Sequence, residues 1–239
     1  IAIGYDALKG AAFAGSPIVV NGNIAIGAFA LDATGTNAHS GTIAIGYNAL
    51  TACTSGSANT AVGYGSMDAL TTGSNNTGLG DRSLSGTDDG ANNTAVGAFA
   101  MESGNCGDNN TAVGYNSLRL CTGGNNTGFG EGTMQDLVEG TDNVAIGKAA
   151  FGGALNTDAD ASVGNVFIGK DAGGGGWTSP VSNYNVGIGH QAMDDALNGA
   201  NYNVALGRRA ATQLVSGDAN VAIGPDALYN STDVDKAVI

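Results

Sequence analysis

Basic residues, aromatic rings and long apolar runs are all scarce in this chain, and each shortage excludes a class of protein. Only eight Lys and Arg stand against 21 Asp and Glu, so the formal net charge is −13. Such a chain has no basic face for nucleic-acid phosphates and is repelled by an anionic membrane surface. No apolar run approaches the ~18–20 residues of a membrane-spanning helix. We therefore expect no nucleic-acid partner and no membrane span.

Large side chains are also rare. Aromatic residues make up 6% of the 239 residues, there is one Trp, and Gly occurs 41 times. This composition does not suit an ordinary globular core. Hydrophobic residues still account for 42% of the chain, which is too many for a disordered segment. The small and aliphatic residues are spread evenly, which indicates a thin, elongated core.

Metal ligands and catalytic clusters are equally sparse. His39 and His190 are far apart, and neither has a Cys or a second His nearby, so we predict no zinc site. The Gly-x-Gly sequences lack the lysine and the following helix of a phosphate-binding loop. No group of acids with Lys or Arg recurs from one repeat to the next. We predict neither an enzyme nor a cofactor.

One short phrase dominates what the chain does contain. It reads Asn-[Thr/Val/Ile]-[Ala/Gly]-[Ile/Val/Leu/Phe]-Gly and returns thirteen times at intervals of 16 to 23 residues. A period of this kind predicts one small unit stacked many times. Positions are numbered here from the repeat glycine, which is position 0. These glycines are Gly4, Gly27, Gly46, Gly63, Gly80, Gly97, Gly114, Gly130, Gly147, Gly169, Gly189, Gly207 and Gly224.

The three residues before each glycine predict a strand. Position −1 is always apolar and position −3 is Ile, Val or Thr, and residues two apart on a strand share a face. We expect positions −3 and −1 to point inward, and position −2, which is Ala, Gly or once Phe, to point outward. A row of such small residues favours a packed interface between chains, the alternative being a tight bend where larger side chains clash. The candidate interface residues are Ala61, Gly78, Ala95, Ala112, Gly128 and Ala145.

Two further positions complete the repeat. Position +3 is always small and position +4 is usually Leu or Met, which predicts a second inward set on a second short strand. Position −4 is Asn in eleven repeats, with Thr42 as the exception. Stacked Asn side chains can hydrogen-bond along a column, so we predict a structural Asn column. Its members are Asn23, Asn59, Asn76, Asn93, Asn110, Asn126, Asn143, Asn165, Asn185, Asn203 and Asn220.

Several residues interrupt the pattern. The longest intervals place insertions near residues 8–22 and 170–184, and the second contains Trp177. Insertions in solenoids often bind partners, so Trp177 is a candidate recognition residue, unless it only pins its own loop. Adjacent coils could bring Cys106 and Cys121 within reach of a disulfide, and reduced thiols, Cys53 included, are the open alternative.

Aromatic residues recur just after the repeat glycine. Tyr5, Tyr47, Tyr64 and Tyr115 all occupy position +1. An exposed row of rings could stack on sugars, or the rings could cover the core.

The phrase resembles the repeats of a known family. Asn-Val-Ala-Ile-Gly at 143–147 and at 220–224 is similar to the head repeats of trimeric autotransporter adhesins, the YadA-like head. The longer segment 109–118 also resembles repeats of phage tail-fibre and other surface-fibre proteins. The resemblance implies a left-handed parallel β-roll, three chains side by side, and heads that contact host surfaces or matrix proteins. Here the repeat is longer than is usual in those heads, so the turns are longer.

We therefore expect an all-β protein, a parallel β-solenoid of about thirteen short coils that spans residues 1–239 as one domain. Both ends cut through a repeat, so the chain is expected to be a segment of a longer fibre protein. The leading function is a structural and adhesive module at a cell or virion surface, a homotrimer that binds a host protein or glycan.

Two other functions stay open. The first is a self-assembling extracellular filament that grows end to end without binding a receptor. The second is an ice-binding solenoid, suggested by the five threonines at position −3. It is disfavoured because these threonines alternate with Val and Ile at position −3 and share a face with position −1, which is expected to be buried, whereas an ice surface needs paired, outward columns of Thr. The five threonines are Thr60, Thr77, Thr94, Thr111 and Thr127.

Overall fold

The repeat builds short parallel strands joined by turns. The computed structural model describes residues 1–9, 21–33, 40–152, 161–177, 181–195 and 197–239. These residues contain thirteen strands and no helix. The predicted insertions fall partly outside the described residues, at 10–20 and 178–180, and His39 also lies outside them.

The chain divides into two compact units, Ile1–Asn116 and Ser117–Ile239. The first unit holds β1 (Ala2–Ile3), β2 (Ile24–Ile26), β3 (Ile43–Ile45), β4 (Thr60–Val62), β5 (Thr77–Leu79), β6 (Thr94–Val96) and β7 (Thr111–Val113). The second holds β8 (Thr127–Phe129), β9 (Val144–Ile146), β10 (Val166–Ile168), β11 (Val186–Ile188), β12 (Val204–Leu206) and β13 (Val221–Ile223). Every strand is the segment just before a repeat glycine, as predicted.

Within each unit, consecutive strands pair in parallel and in register. Thr60, Ala61 and Val62 of β4 face Thr77, Gly78 and Leu79 of β5, and the same positions pair in β8 and β9. The chain thus completes one turn of a solenoid per repeat, and the solenoid has about eleven turns. The predicted all-β parallel solenoid is confirmed, although it has fewer complete turns than the thirteen expected coils.

The facing of the strands is the reverse of the prediction. The candidate interface residues at position −2 are buried inside the coil: Ala61, Ala95, Ala112 and Ala145 are 0% exposed, and Gly78 and Gly128 are buried as well. Residues at position −1 lie at the surface, as Leu79, Phe129 and Ile223 show with 37%, 56% and 58% exposure. Residues at position −3 share that side of the strand and are mostly half-buried. Position −2 therefore cannot form an interface between chains.

The width of the coil explains this reversal. A Cβ added at Gly78 would lie 2.8 Å from Ser66 Oγ and 3.0 Å from Met67 Cε. Both atoms belong to the inward set at positions +3 and +4, whose predicted burial is confirmed: Ser66, Met67, Leu84 and Met101 are fully buried. Because Leu and Met fill the interior from one side, only Ala or Gly fits opposite them.

The predicted second strand is wrong. The segment after each glycine is a turn, and its backbone alternates into the left-handed region at positions +2 and +4. Asn48 and Leu50 have φ of 56° and 54°, and Arg82 and Leu84 have 49° and 57°. This conformation is uncommon outside Gly and Asn, so propensity alone gives no sign of it.

The repeat glycines stack into a column, named here the glycine column. Gly63 has a φ of +143°, and a Cβ placed on it would lie 2.2 Å from the carbonyl oxygen of Gly80 in the next turn. The same approach recurs from turn to turn within each unit. Glycine is required here by both the backbone angle and the space.

Candidate interaction surfaces

A repeated apolar surface is made by positions −3 and −1 of the strands, named here the outer strand face. Every residue in it is Ile, Val, Leu, Phe or Thr. Their backbone groups are fixed by the parallel ladders of each unit, so the side chains form regular rows one coil apart. A parallel sheet is normally covered on both sides. Here the interior covers one side, and the described residues leave the other exposed.

The Asn column holds the interior turns together, as predicted. The Asn76 side chain donates from Nδ2 to the Gly90 carbonyl oxygen at 2.8 Å, and its Oδ1 accepts the Asn93 backbone N–H at 2.8 Å. In the second unit the amides also bond to one another, as from Asn165 Nδ2 to Asn143 Oδ1 at 3.2 Å. The column is buried, so it is structural and cannot receive a ligand.

Thr42 breaks this column. Its backbone N–H donates to Asn23 Oδ1 at 2.9 Å, as an Asn at that place would. Its hydroxyl oxygen is buried and has no hydrogen-bond partner among the described residues. The column therefore continues through the backbone but loses its side-chain bonds for one turn.

An aromatic ridge runs along the first unit. It consists of Tyr5, Phe29, Tyr47 and Tyr64, on four consecutive turns. Neighbouring ring centroids are 5.5, 5.8 and 5.4 Å apart. The three tyrosines are exposed. The predicted row of rings is thus a real surface feature. On the turn where position +1 is Ala28, Phe29 at position +2 supplies the ring.

The second unit carries charges at the same repeat positions. Lys148 pairs with Glu131 at 2.9 Å, and Lys170 pairs with Asp171 at 3.1 Å. Arg209 pairs with Asp226 at 2.7 Å and lies over the Tyr229 ring. These side chains are in solvent, and exposed ion pairs contribute little to stability.

Trp177 does not form a recognition surface. Its side chain is 0% exposed, and its ring lies 4.5 Å from Phe151 and 5.7 Å from Phe167. Phe167 occupies position −2, where all other repeats have Ala or Gly. A Cβ at Gly173 or Gly187 would come within 2.7 or 2.8 Å of the Phe167 ring, so these glycines make room for the aromatic cluster.

The cysteines are buried rather than displayed in open turns. Cys53 is fully buried, and Cys106 and Cys121 are 1% exposed. Cys53 and Cys121 follow their repeat glycines by seven residues, the position of Leu70 and Leu137, so their thiols act as small core side chains. Cys106 is a free thiol, so the predicted disulfide between Cys106 and Cys121 is not formed.

Burial should make Cys53 unreactive. Desolvation raises the pKa of its thiol from 9.0 to about 11, and the thiolate is the reactive form. We expect iodoacetamide at pH 8 to leave Cys53 unmodified in the folded protein and to label it in urea, as measured by peptide mass spectrometry.

The same shift predicts a pH dependence of stability. The thiol of the unfolded chain ionises at a lower pH than the buried thiol. The contribution of Cys53 to the free energy of unfolding is therefore complete below pH 9 and is lost as the pH rises to about 11. Cys53→Ala should lack this part of the decline in the free energy of unfolding. Rapid native labelling at pH 8 would contradict the buried placement.

The described residues offer little else that resembles a reactive centre. They contain no group of three or more His, Cys, Asp or Glu placed to hold a metal ion. His190, at position +1 of its repeat, is exposed. None of the described segments is a helix long and apolar enough to cross a membrane. No family model matches the chain, and neither the curated proteins nor the solved structures gave a match.

Proposed function

We propose that the chain is a structural and adhesive module of an extracellular fibre, an adhesin head or a phage tail fibre, placed at a cell or virion surface. In this proposal the coils wind left-handed, three copies associate through their outer strand faces, and the remaining surface meets a host protein or glycan. The observation that carries the proposal is the outer strand face itself, an uncharged apolar surface repeated on every turn.

The chemistry of that face favours a second copy over an unrelated partner. Large exposed apolar patches on monomers are uncommon and mark interaction sites. Rows of side chains one coil apart fit best against rows with the same spacing, and another copy of this chain provides them. The absence of Lys, Arg, Asp and Glu from every −3 and −1 position removes the desolvation cost of burying charge.

A charge placed in the face should dissociate the assembly. Ile146, at position −1, is exposed in the single chain, so Ile146→Glu keeps the coil interior intact and buries a carboxylate only if copies meet there. We expect light scattering to give the mass of three chains for the native protein and of one chain for Ile146→Glu. Lys148→Gln, two residues away and 57% exposed, is the matched control and should keep three chains.

Native protein that sediments as one chain at all concentrations would refute this assembly. An open-ended series of masses would instead favour the self-assembling filament.

Ice binding is a second candidate because of one observation. Thr60, Thr77, Thr94 and Thr111 stack in register on β4 to β7, and they share the outer strand face rather than a buried one. The argument from burial that weighed against this function therefore fails. A single-chain mass together with inhibition of ice recrystallisation would favour it, whereas a three-chain mass that covers the threonines would exclude it.

A further inference from the structure

We propose that the aromatic ridge of the first unit, Tyr5, Phe29, Tyr47 and Tyr64, binds a neutral linear glycan that lies along the stacked turns. The inference rests on the adhesive part of the proposed function and assigns it a ligand class and a site. It does not depend on how many copies assemble.

The ridge is held at a fixed spacing by the backbone. Phe29 N–H donates to the Tyr5 carbonyl oxygen at 2.9 Å, and Gly65 N–H donates to the Tyr47 carbonyl oxygen at 2.9 Å. Tyr47 and Tyr64 have nearly parallel rings, 11° apart, whereas Phe29 stands at 83° and 89° to its two neighbours. The rings therefore form one continuous aromatic row, and its three tyrosines are exposed to solvent.

The rings are not needed to cover the core. Tyr5 is 70% exposed and Tyr64 is 53% exposed, while the interior beneath is filled by residues such as Leu50 and Met67. The sequence nevertheless keeps one ring on each of the four turns by moving it to Phe29 at position +2 where position +1 is Ala28. A surface that keeps its rings without structural need is a candidate for recognition.

Charged residues at positions +1 and +2 of the second unit indicate that these repeat positions lie outside the proposed interface between copies. Position +1 there holds Lys148, Lys170 and Arg208, which are 57%, 56% and 58% exposed. Residues of this kind are placed in solvent, because burying them between copies would be costly. The outer strand face, in contrast, is apolar in both units. Positions +1 and +2 therefore lie outside the surface that copies would share, and the rings of the first unit are open to a ligand.

Charge and spacing favour a neutral glycan. The described charges beside the ridge include two pairs of opposite sign, Asp6 with Lys9 at 2.8 Å and, on the turn after Tyr64, Arg82 with Glu102 at 3.7 Å. The chain has a net charge of −13, which repels polyanions. The ridge offers one ring per turn at a spacing of about 5 Å, which is close to the length of one pyranose unit in an extended β-linked chain. Sugar C–H groups pack on aromatic surfaces, and their hydroxyls can bond to the phenols.

The test is direct binding of defined sugars to the native protein by isothermal titration calorimetry. The probes are cellohexaose, chitohexaose and maltohexaose as neutral chains, with a heparin hexasaccharide as the anionic comparison. We expect at least one neutral chain to bind, the double variant Tyr47→Ala/Tyr64→Ala to bind it about tenfold more weakly or worse, and heparin not to bind. Tyr47→Phe should retain most of the affinity, because it keeps the ring.

Tyr202→Asn is the matched control. Tyr202 stacks on Tyr184 in the second unit, with ring centroids 5.3 Å apart, and it has a φ of 59° that Asn adopts readily. Its loss should leave the affinity unchanged. No binding of any neutral hexasaccharide, or equal loss with Tyr202→Asn, would overturn the glycan site.

Light scattering on the same samples keeps the two proposals apart. A fall in mass with the double variant would show that the ridge packs against another copy and would also overturn the inference. A three-chain mass without sugar binding would leave the fibre proposal standing and reject only the ridge.

Discussion

Gly63→Ala, which adds one methyl group to the glycine column, should destabilise the protein strongly. The new Cβ would lie 2.2 Å from the Gly80 carbonyl oxygen, and the residue would hold a φ of +143°, which L side chains rarely adopt. Strain of that type and a clash with rigid backbone together cost about 4 kcal/mol. We expect a loss of that size in the free energy of unfolding, measured by urea denaturation followed by circular dichroism.

Gly65→Asn provides the control within the same turn. Gly65 has a φ of +56°, and the nearest atom to an added Cβ is Asp68 Oδ2 at 3.4 Å. Neighbouring turns already place Asn48 and Arg82 at this position with similar backbone angles. We expect a change below about 1 kcal/mol. Equal losses for Gly63→Ala and Gly65→Asn would mean that stacking of the glycine column is not the reason why position 0 requires glycine.

Asn76→Ala should have the second-largest effect. The substitution removes the donor that Asn76 gives to the buried Gly90 carbonyl and the acceptor it gives to the Asn93 N–H. Each buried polar group left without its partner costs ~1–3 kcal/mol, so we expect a loss of about 3–4 kcal/mol in the same unfolding experiment.

Two variants test whether this loss belongs to the column. Asn75→Gly changes an exposed residue next to the column. Asn75 has a φ of 60°, which Gly adopts readily, so this change should be nearly neutral. Thr42→Asn supplies the missing side chain at the one break in the column and should stabilise the protein by about 1 kcal/mol. A destabilising Thr42→Asn together with a neutral Asn76→Ala would show that stacked amides contribute little here.

The sequence predicts the strands and the Asn column because both depend on residues next to each other in the chain. The segment before each repeat glycine has strand propensity, and the interval between glycines determines which segments meet. Asn recurs at the same distance from every glycine, as in Asn59 and Asn76, so that one correct register aligns the whole column. These inferences needed only local pattern and period.

The facing of the strands could not be deduced that way. Alternation says that positions −3 and −1 point together, and it does not say which side is inside. Apolar character suggested inward, but the interior at Gly78 is already occupied by Ser66 and Met67 from the other side of the turn. The decisive quantity is the space left across the coil, and it depends on side chains eleven or twelve residues away.

A volume argument would have found both the reversal and the place of Trp177. Small residues at −2 accompany Leu or Met at +4 in most repeats, and the exception is reciprocal: Phe167 at −2 is accompanied by Gly173 at +4. Such exchange of large for small is typical of side chains that share one interior. It places Phe167 inside and gives Trp177 an aromatic neighbour to pack on.

The uniform turns of the first unit allow it to vary by recombination. Between Gly46 and Gly114 four successive circuits each contain seventeen residues, and the Asn-mediated bonds recur along them with the same geometry. A gene segment encoding one circuit could be lost or duplicated in frame, and the circuits on either side would meet a near-identical surface. A lineage carrying such a gene could lengthen or shorten the protein in increments of about 4.8 Å, and the contacts between neighbouring turns would stay the same.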